Sequence, residues 1–429
     1  MVYVPVTVLE VRAWGQTVGA VSAGLQGYLF EYAPTWRRSG MELSPLLMPT
    51  DDRRSVFSFP SLNRDTFYGL PPMLADALPD KFGNALVDAS LAAQGIDRNQ
   101  ITALDRLAYL GSRGMGALEF VPDNGPSVPR QTALDIGELV SAARNVLSGT
   151  LGSDSETSSA LSQIISVGTS AGGARPKAIV NINDETAEIR PGHNLPAAGE
   201  EAWLLKFDGV GMDRQLGESQ KYTRIEYAYS LMMRAAGITM APTRLLHENG
   251  RAHFLTKRFD RDGAKRIHLQ SLCGLNAVDF NMRETNDYGQ LFAAANGLQL
   301  GEQAMVEIFR RMVFNIAASN HDDHSKNHSF ILAENEAWKL SPAYDVTFAH
   351  DAANIWTDKH LMGVNGIFAN ISRKEVLAVA DRFSVPNALR TINEVEDALQ
   401  SWTEFAAAAE LAPDVTSDLA DQFVSLKRS

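Results

Sequence analysis

The stretch SNHDDHSKNHSF, Ser319 to Phe330, follows a strongly apolar segment and gathers three histidines, two aspartates, a lysine and two asparagines. Within it Asp322 and Asn327 stand in a D-x-x-x-x-N spacing. On one loop, that carboxylate could accept a hydroxyl proton and that amide oxygen could hold a magnesium ion. Taken alone, the spacing equally fits a solvated turn. The residues after it add weight: HSFIL, AENEA and WKLS read as strand, turn and strand, and PAYDV then delivers Asp345. A hairpin of this kind would return a second carboxylate to the loop. Asn327 and Asp345 would then be two oxygen ligands for Mg²⁺, which completes its shell with phosphate oxygens. The competing reading is a histidine metal site of His321, His324 and His328. His324 and His328 have i,i+4 spacing, but a strand at HSFIL turns them apart, and His324 is expected to order the loop by hydrogen bonding.

Loop, hairpin and second aspartate are the order in which protein kinases bring base and metal ligand together. Cations must then come from upstream. AWLLKFDG places Lys206 at the end of an apolar strand, where a lysine needs a partner to stay charged; read alone, it is equally a snorkelling surface lysine. YTRIEYAYSLMMRAAG predicts a helix with Ile225, Tyr229, Met232, Met233 and Ala236 on its apolar face and Gly237 as its stop. Glu226 borders that face as the expected counter-ion for Lys206, with Glu218 as a nearby competitor. In VGTSAGGARPKA, Val167 to Ala178, Gly168, Gly172 and Gly173 allow close backbone approach to phosphates, and Arg175 and Lys177 add positive charge. The stretch is neither a Walker loop nor GxGxxG. LTKRFDR follows a strand and puts Lys257, Arg258 and Phe259 where a hinge would meet adenine.

The elements that must position these groups change character along the chain. Short alternating runs (VTVLEVRAWG, QTVGAVSAG, GYLFEYA) predict a small antiparallel sheet, and the Pro-bounded GLPPMLADALPDKFGNALVDASLAAQGI predicts helix. DNGPSVPRQ, Asp123 to Gln131, reads as a linker. A helix over about 133–147 and an exposed Ser/Gly/Asp segment, SGTLGSDSETSSA, come next. KAIVNIN, AWLLKFD and AHFLTKRFD predict strands. Beyond Gln290 helices dominate, with EQAMVEIFRRMVFNIAASN, KEVLAVADRF and NALRTINEVEDALQSWTEFAAAAE all apolar at three- and four-residue spacing. The expected fold is α+β: a small N-terminal α/β accessory domain at 1–122, a sheet-rich lobe at 132–260 and a helical lobe at 261–429.

A chain of 429 residues with 45% hydrophobic content can bury more than one core. Its net charge of −12 repels nucleic acid in the absence of a basic patch, and none is visible. The one cysteine, Cys273, excludes an intrachain disulfide and reads as a small buried apolar residue. With no signal peptide and no long apolar run, the expectation is a cytoplasmic protein without membrane contact.

Six ordered stretches, SAGGARPKA, WLLKFDG, IEYAYSLMMRAAGI, FLTKRFDR, HDDHSKNHSF and LSPAYDVT, resemble the HipA family of serine/threonine kinases, toxins of bacterial toxin–antitoxin pairs. GLPPMLADALPDKFG and LAYLGSRGMGALEF resemble the domain that precedes the kinase core there. The resemblance spans nearly the whole chain and implies a bilobal protein-kinase-like core using ATP and Mg²⁺. Asp322 would be the base, with Asn327 and Asp345 on Mg²⁺. The nucleotide would be held by Ala171, Gly172, Gly173, Ala174, Arg175 and Lys177, by Lys206 and Glu226, by Lys257, Arg258 and Phe259, and by His324 and Tyr344. Ser170, at the start of the glycine-rich loop, matches the family's autophosphorylated serine; phosphate there adds about −1.5 to −2 charges and should oppose nucleotide binding. Expected partners are a helix-turn-helix antitoxin of HipB type, with DNA reached only through it, and a substrate such as an aminoacyl-tRNA synthetase. Two departures stand out. NHDD lacks the arginine that precedes the base in many regulated kinases, and DVT replaces DFG. The same residues also fit a nucleotide-binding regulatory scaffold or a small-molecule phosphotransferase.

Overall fold

The computed structural model describes residues 4–92, 94–126, 133–148, 164, 175–210, 212–213, 217–218 and 221–427. The chain divides into two compact units. One comprises Met1–Gln220, Leu246–Leu269 and Leu332–Glu336, the other Lys221–Leu245, Gln270–Ile331 and Ala337–Ser429.

In the first unit, period-two alternation builds a five-stranded antiparallel sheet. β1 (Val8–Ala13) buries Leu9, Val11 and Ala13, while Glu10 and Arg12 pair at 2.8 Å on the other face. With β2 (Gln16–Gly24), β3 (Gly27–Tyr32), β4 (Val56–Phe57) and β5 (Leu118–Val121) the order is β4-β3-β2-β1-β5. A second sheet contains β6 (Lys177–Asn183), β7 (Glu188–Pro191), β8 (Glu200–Lys206) and β9 (Arg251–Lys257) in the order β9-β8-β6-β7. β6 is buried along nearly its whole length, as a central strand rich in Val, Ile and Ala should be.

One core serves both parts of this unit. Phe82, Leu86 and Val87 of helix α1 (Lys81–Ala92) and Leu139, Val140 and Ala143 of helix α2 (Ile136–Ser148) pack with Ala178, Val180, Trp203, Leu205 and Leu255 of the second sheet. At about 1.5–3 kcal/mol for each large apolar side chain buried, this packing joins the segment expected as an accessory domain (1–122) to the sheet expected as a separate lobe (132–260). The helix carrying Glu226, expected within that lobe, falls in the other unit. Of the expected linker, residues 127–131 lie outside the described residues, but Asp123 accepts from Arg113 at 2.9 Å. Most of the Ser/Gly/Asp segment, from residue 149 on, also lies outside them.

The second unit is mainly helical. α3 (Tyr222–Ala235) buries Ile225, Tyr229, Met232 and Met233, with Ala236 buried just beyond its end, and Gly237 follows at φ 77°. α4 (Tyr288–Gly297) begins with a capping box on Asp287. α5 (Gly301–Ala317) runs straight into the 319–330 stretch. The Tyr229 ring meets Phe314, Trp402 and Phe423 edge-on, and its hydroxyl donates to Ala318 O at 2.6 Å. The helix expected from Asn387 onward breaks at Ser401 into α6 (Ala388–Gln400) and α7 (Trp402–Ala408). The break delivers Trp402 to the Tyr229 ring. The expected hairpin is present, with β10 (Ser329–Leu332) pairing β11 (Lys339–Leu340) through Phe330–Leu340 and Ile331–Lys339.

Candidate active site

Ser319 takes φ 51° at the end of α5 and turns the chain into an irregular loop. Along it Asp322 and Asp323 part ways. The Asp322 side chain is 46% exposed, with His324 Nε2 at 3.7 Å from its Oδ1. Its carbonyl accepts from Asn327 Nδ2 at 2.8 Å, closing the loop over a 3₁₀ turn, Ser325–Asn327. That bond fixes the Asn327 amide with its nitrogen used and its oxygen left as the ligand-type atom. Ser325 Oγ pins the turn by donating to Val278 O at 2.5 Å.

The β10–β11 hairpin brings Tyr344 and Asp345 back to this loop. Tyr344 donates its hydroxyl to Lys326 O at 2.6 Å, and Asp345 sits at φ 54°, a conformation Asp tolerates better than most residues. Asn327, Tyr344 and Asp345 line one cavity together with Asn315, Asn320 and Asp323. Asn327 and Asp345, an amide and a carboxylate lining a shared cavity, fit Mg²⁺, a hard cation that takes few protein ligands.

The histidines serve structure. His328 is buried and Nε2 donates to Asp323 O at 3.2 Å; burial pushes its pKa down to about 4. His321 donates through Nδ1 to Thr357 O at 2.9 Å and lies against the rings of His350 and His360. Burial, and then its histidine neighbours, bring it too to about 4. Among the described residues no group of three or more His, Cys, Asp or Glu is suited to a metal ion. His324 rests on the Phe280 ring with its Nδ1 buried and without a hydrogen-bond partner, which leaves a polar atom for a ligand to meet.

In the first unit the expected cations are placed less uniformly. Lys206 ends β8, 8% exposed, with its ammonium 6.0 Å from the Phe254 ring centroid. Lys177 stands directly opposite on β6, buried and paired with Asp80 at 3.1 Å. Lys257 pairs with Glu201 at 2.5 Å. Arg258, in the stretch expected to meet the base, turns its guanidinium inward onto Asp260 at 2.8 and 2.9 Å. Arg175 is exposed just before β6. Glu226 is 4% exposed on α3, in the other unit from Lys206. Ser170, Ala171, Gly172, Gly173 and Ala174 lie outside the described residues, as does Gly168.

Asp323 was not singled out from sequence. Its side chain is fully buried and accepts from Tyr288 Oη at 2.9 Å, His360 Nδ1 at 3.0 Å, and the amides of Leu361 and Met362 at 2.9 and 3.1 Å. Burial alone would raise its pKa, but the charge and hydrogen bond of His360, the Met362 amide and the Tyr288 hydroxyl hold it below the ordinary carboxylate value. The nearest signal in the sequence is the doubled DD, which does not say which aspartate turns inward.

Fold and sequence together define an α+β protein with an additional N-terminal domain. The chain belongs to the HipA family: a HipA-like C-terminal domain matches residues 169–403, more than half of the chain, and a HipA N-terminal domain matches residues 9–121. Over 96% of its length the chain resembles HipA of Shewanella oneidensis MR-1, solved in complex with HipB and its operator DNA. The TM-score is 0.65 at 18% identity, covering 94% of that chain. A Sinorhizobium fredii protein described as "Putative kinase Y4dM" is 23% identical over 207 residues, 44% of this chain and 46% of that protein. The match thus spans a little under half of that relative's length. No helix among the described residues is long and apolar enough to cross a membrane.

Proposed function

We propose that this chain is an ATP- and Mg²⁺-dependent protein serine/threonine kinase of the HipA type. The observation that carries the reading is the shared geometry of Asp322, Asn327 and Asp345: the first two closed on one loop, the last two lining one cavity. Asp322 takes the proton of the substrate hydroxyl as that oxygen bonds to the γ-phosphorus, the bond to the β,γ-bridging oxygen breaks, and ADP leaves. Asn327 and Asp345 would hold Mg²⁺, which when bound would supply charge neutralisation of the phosphates. Lys206 and the loop ending at Lys177 hold the nucleotide phosphates, and the backbone at Lys257 to Phe259 meets the base.

Further proposals rest on family membership. The chain acts as the toxin of a toxin–antitoxin pair in the cytoplasm, with a HipB-type antitoxin, as the HipB complex of the Shewanella protein supports by analogy. A translation protein such as an aminoacyl-tRNA synthetase is its substrate, and Ser170 is its own phosphorylation site.

Incubation with labelled ATP and Mg²⁺, comparing wild type with Asp322→Asn and mapping the phosphosite by mass spectrometry, tests this. Label on Ser170 that vanishes in the variant supports the kinase reading and the self-limiting switch. Label on a metabolite alone points to a small-molecule phosphotransferase. Absence of label on a starting protein that binds ATP and carries no phosphate overturns the autokinase reading.

A further inference from the structure

A kinase loop must be held in place by the segment that follows the metal-binding aspartate, and in this chain the holding group is a carboxylate. Residues 319–323 are pinned to that segment at several points. His321 N donates to Ala349 O at 3.1 Å, Ala349 N to Ser319 O at 3.2 Å, and Leu361 N to His321 O at 3.1 Å. These are backbone contacts that most sequences could make. Asp323 is different: its buried carboxylate takes donors from both sides, Tyr288 Oη on α4 and His360 Nδ1, Leu361 N and Met362 N on the downstream segment. Tyr288 Oη in turn accepts from Asn315 Nδ2 of α5 at 2.8 Å. The carboxylate, with Tyr288 as relay to α5, therefore ties α4, α5, the loop and residues 360–362 into a single hydrogen-bonded set, immediately beside Asp322.

We infer that Asp323 is a positioning residue: it locks the downstream segment onto the catalytic loop and so fixes Asp322 and Asn327 without any phosphorylated side chain in that segment. Its effect on catalysis rests on the kinase reading above. A phosphate on an activation segment serves other kinases by drawing a cation onto the loop; here an internal carboxylate supplies the negative charge, and the NHDD sequence offers no arginine before Asp322 to receive a phosphate. The loop is assembled as folded. Control by modification of residues 346–362 is then neither needed nor expected.

The test measures kcat and KM for ATP, together with amide hydrogen exchange, in His360→Ala, His360→Asn and Asp323→Ala. His360→Ala removes one donor of four and should fold. Its kcat is expected to fall by on the order of tenfold to a hundredfold, the scale of a small misplacement of reacting groups, with KM for ATP nearly unchanged. In the same variant the Leu361 and Met362 amides should lose protection. His360→Asn, whose amide can donate where Nδ1 does, should recover most of the activity. Wild-type kcat and wild-type protection in His360→Ala would overturn the inference. So would losses of kcat and substrate affinity that track melting temperature in all three variants, since that is the mark of a purely structural role. If the wild-type protein transfers no phosphate at all, the kinase reading has failed, and the exchange data on Leu361 and Met362 still decide whether Asp323 is the lock.

Discussion

Asp322 and Asp323 are chemically identical neighbours that the fold uses in opposite ways, one carboxylate half in solvent and the other enclosed by four donors. Their substitutions should separate activity from stability. Asp322→Asn removes an exposed charge and should leave the urea midpoint close to wild type while phosphoryl transfer falls about 10²- to 10⁴-fold, the usual contribution of a general base. Asp323→Ala leaves buried donors unsatisfied, at roughly 1–3 kcal/mol each, and should lower unfolding free energy by at least about 3 kcal/mol. Equal stability losses in the two variants would contradict the division of roles. The placement of Asp322 and Asn327 on one loop and the return of Asp345 by a hairpin were legible from sequence because they follow from local spacing and one strand–turn–strand pattern. The role of Asp323 was not, because its side-chain partners Tyr288 and His360 lie 35 and 37 residues away. The charge of Arg258 is equally plain in LTKRFDR, but that its guanidinium turns onto Asp260 depends on burial that the string does not show.

At the scale of elements, periodicity was a sound guide wherever one face meets a core. The apolar face expected for α3 is buried, and the strand read at KAIVNIN is β6, residue for residue. Tertiary packing overrode pattern at Ser401, where a continuous helical period gives way so that Trp402 can reach Tyr229. Tyr229 also caps the end of α5. Its hydroxyl satisfies the carbonyl of Ala318, one of the acceptors a helix leaves open at its C-terminus, just before the chain turns into the loop. Tyr229→Phe keeps the ring contacts and deletes that donor. The expected result is a loss of about 1–3 kcal/mol in unfolding free energy, with increased exchange over residues 318–323. An unchanged urea midpoint would show that water replaces the hydroxyl.

Both compact units carry a buried histidine, His268 in the first and His328 in the second, and His321 in the loop is partly buried. Each is pushed down to about 4, with burial as the largest cause. The sign follows directly. These histidines bind fewer protons folded than unfolded, so their stabilising effect is complete above the unfolded value near 6.5 and is lost as pH falls towards 4. At pH 5 the loss is about 2 kcal/mol for each histidine. The paired carboxylates act in a lower window. Asp260 is held well below its ordinary value by Arg258 and Arg261 against the opposing effect of burial, so its contribution survives until pH drops below the unfolded aspartate range. Calorimetry between pH 7 and 5 should therefore show the transitions of both units moving to lower temperature before the Asp260 carboxylate protonates. A melting profile flat across that interval would mean that these rings are reached by water and titrate normally. A shift confined to one unit would assign the buried neutral state to that unit's histidines alone.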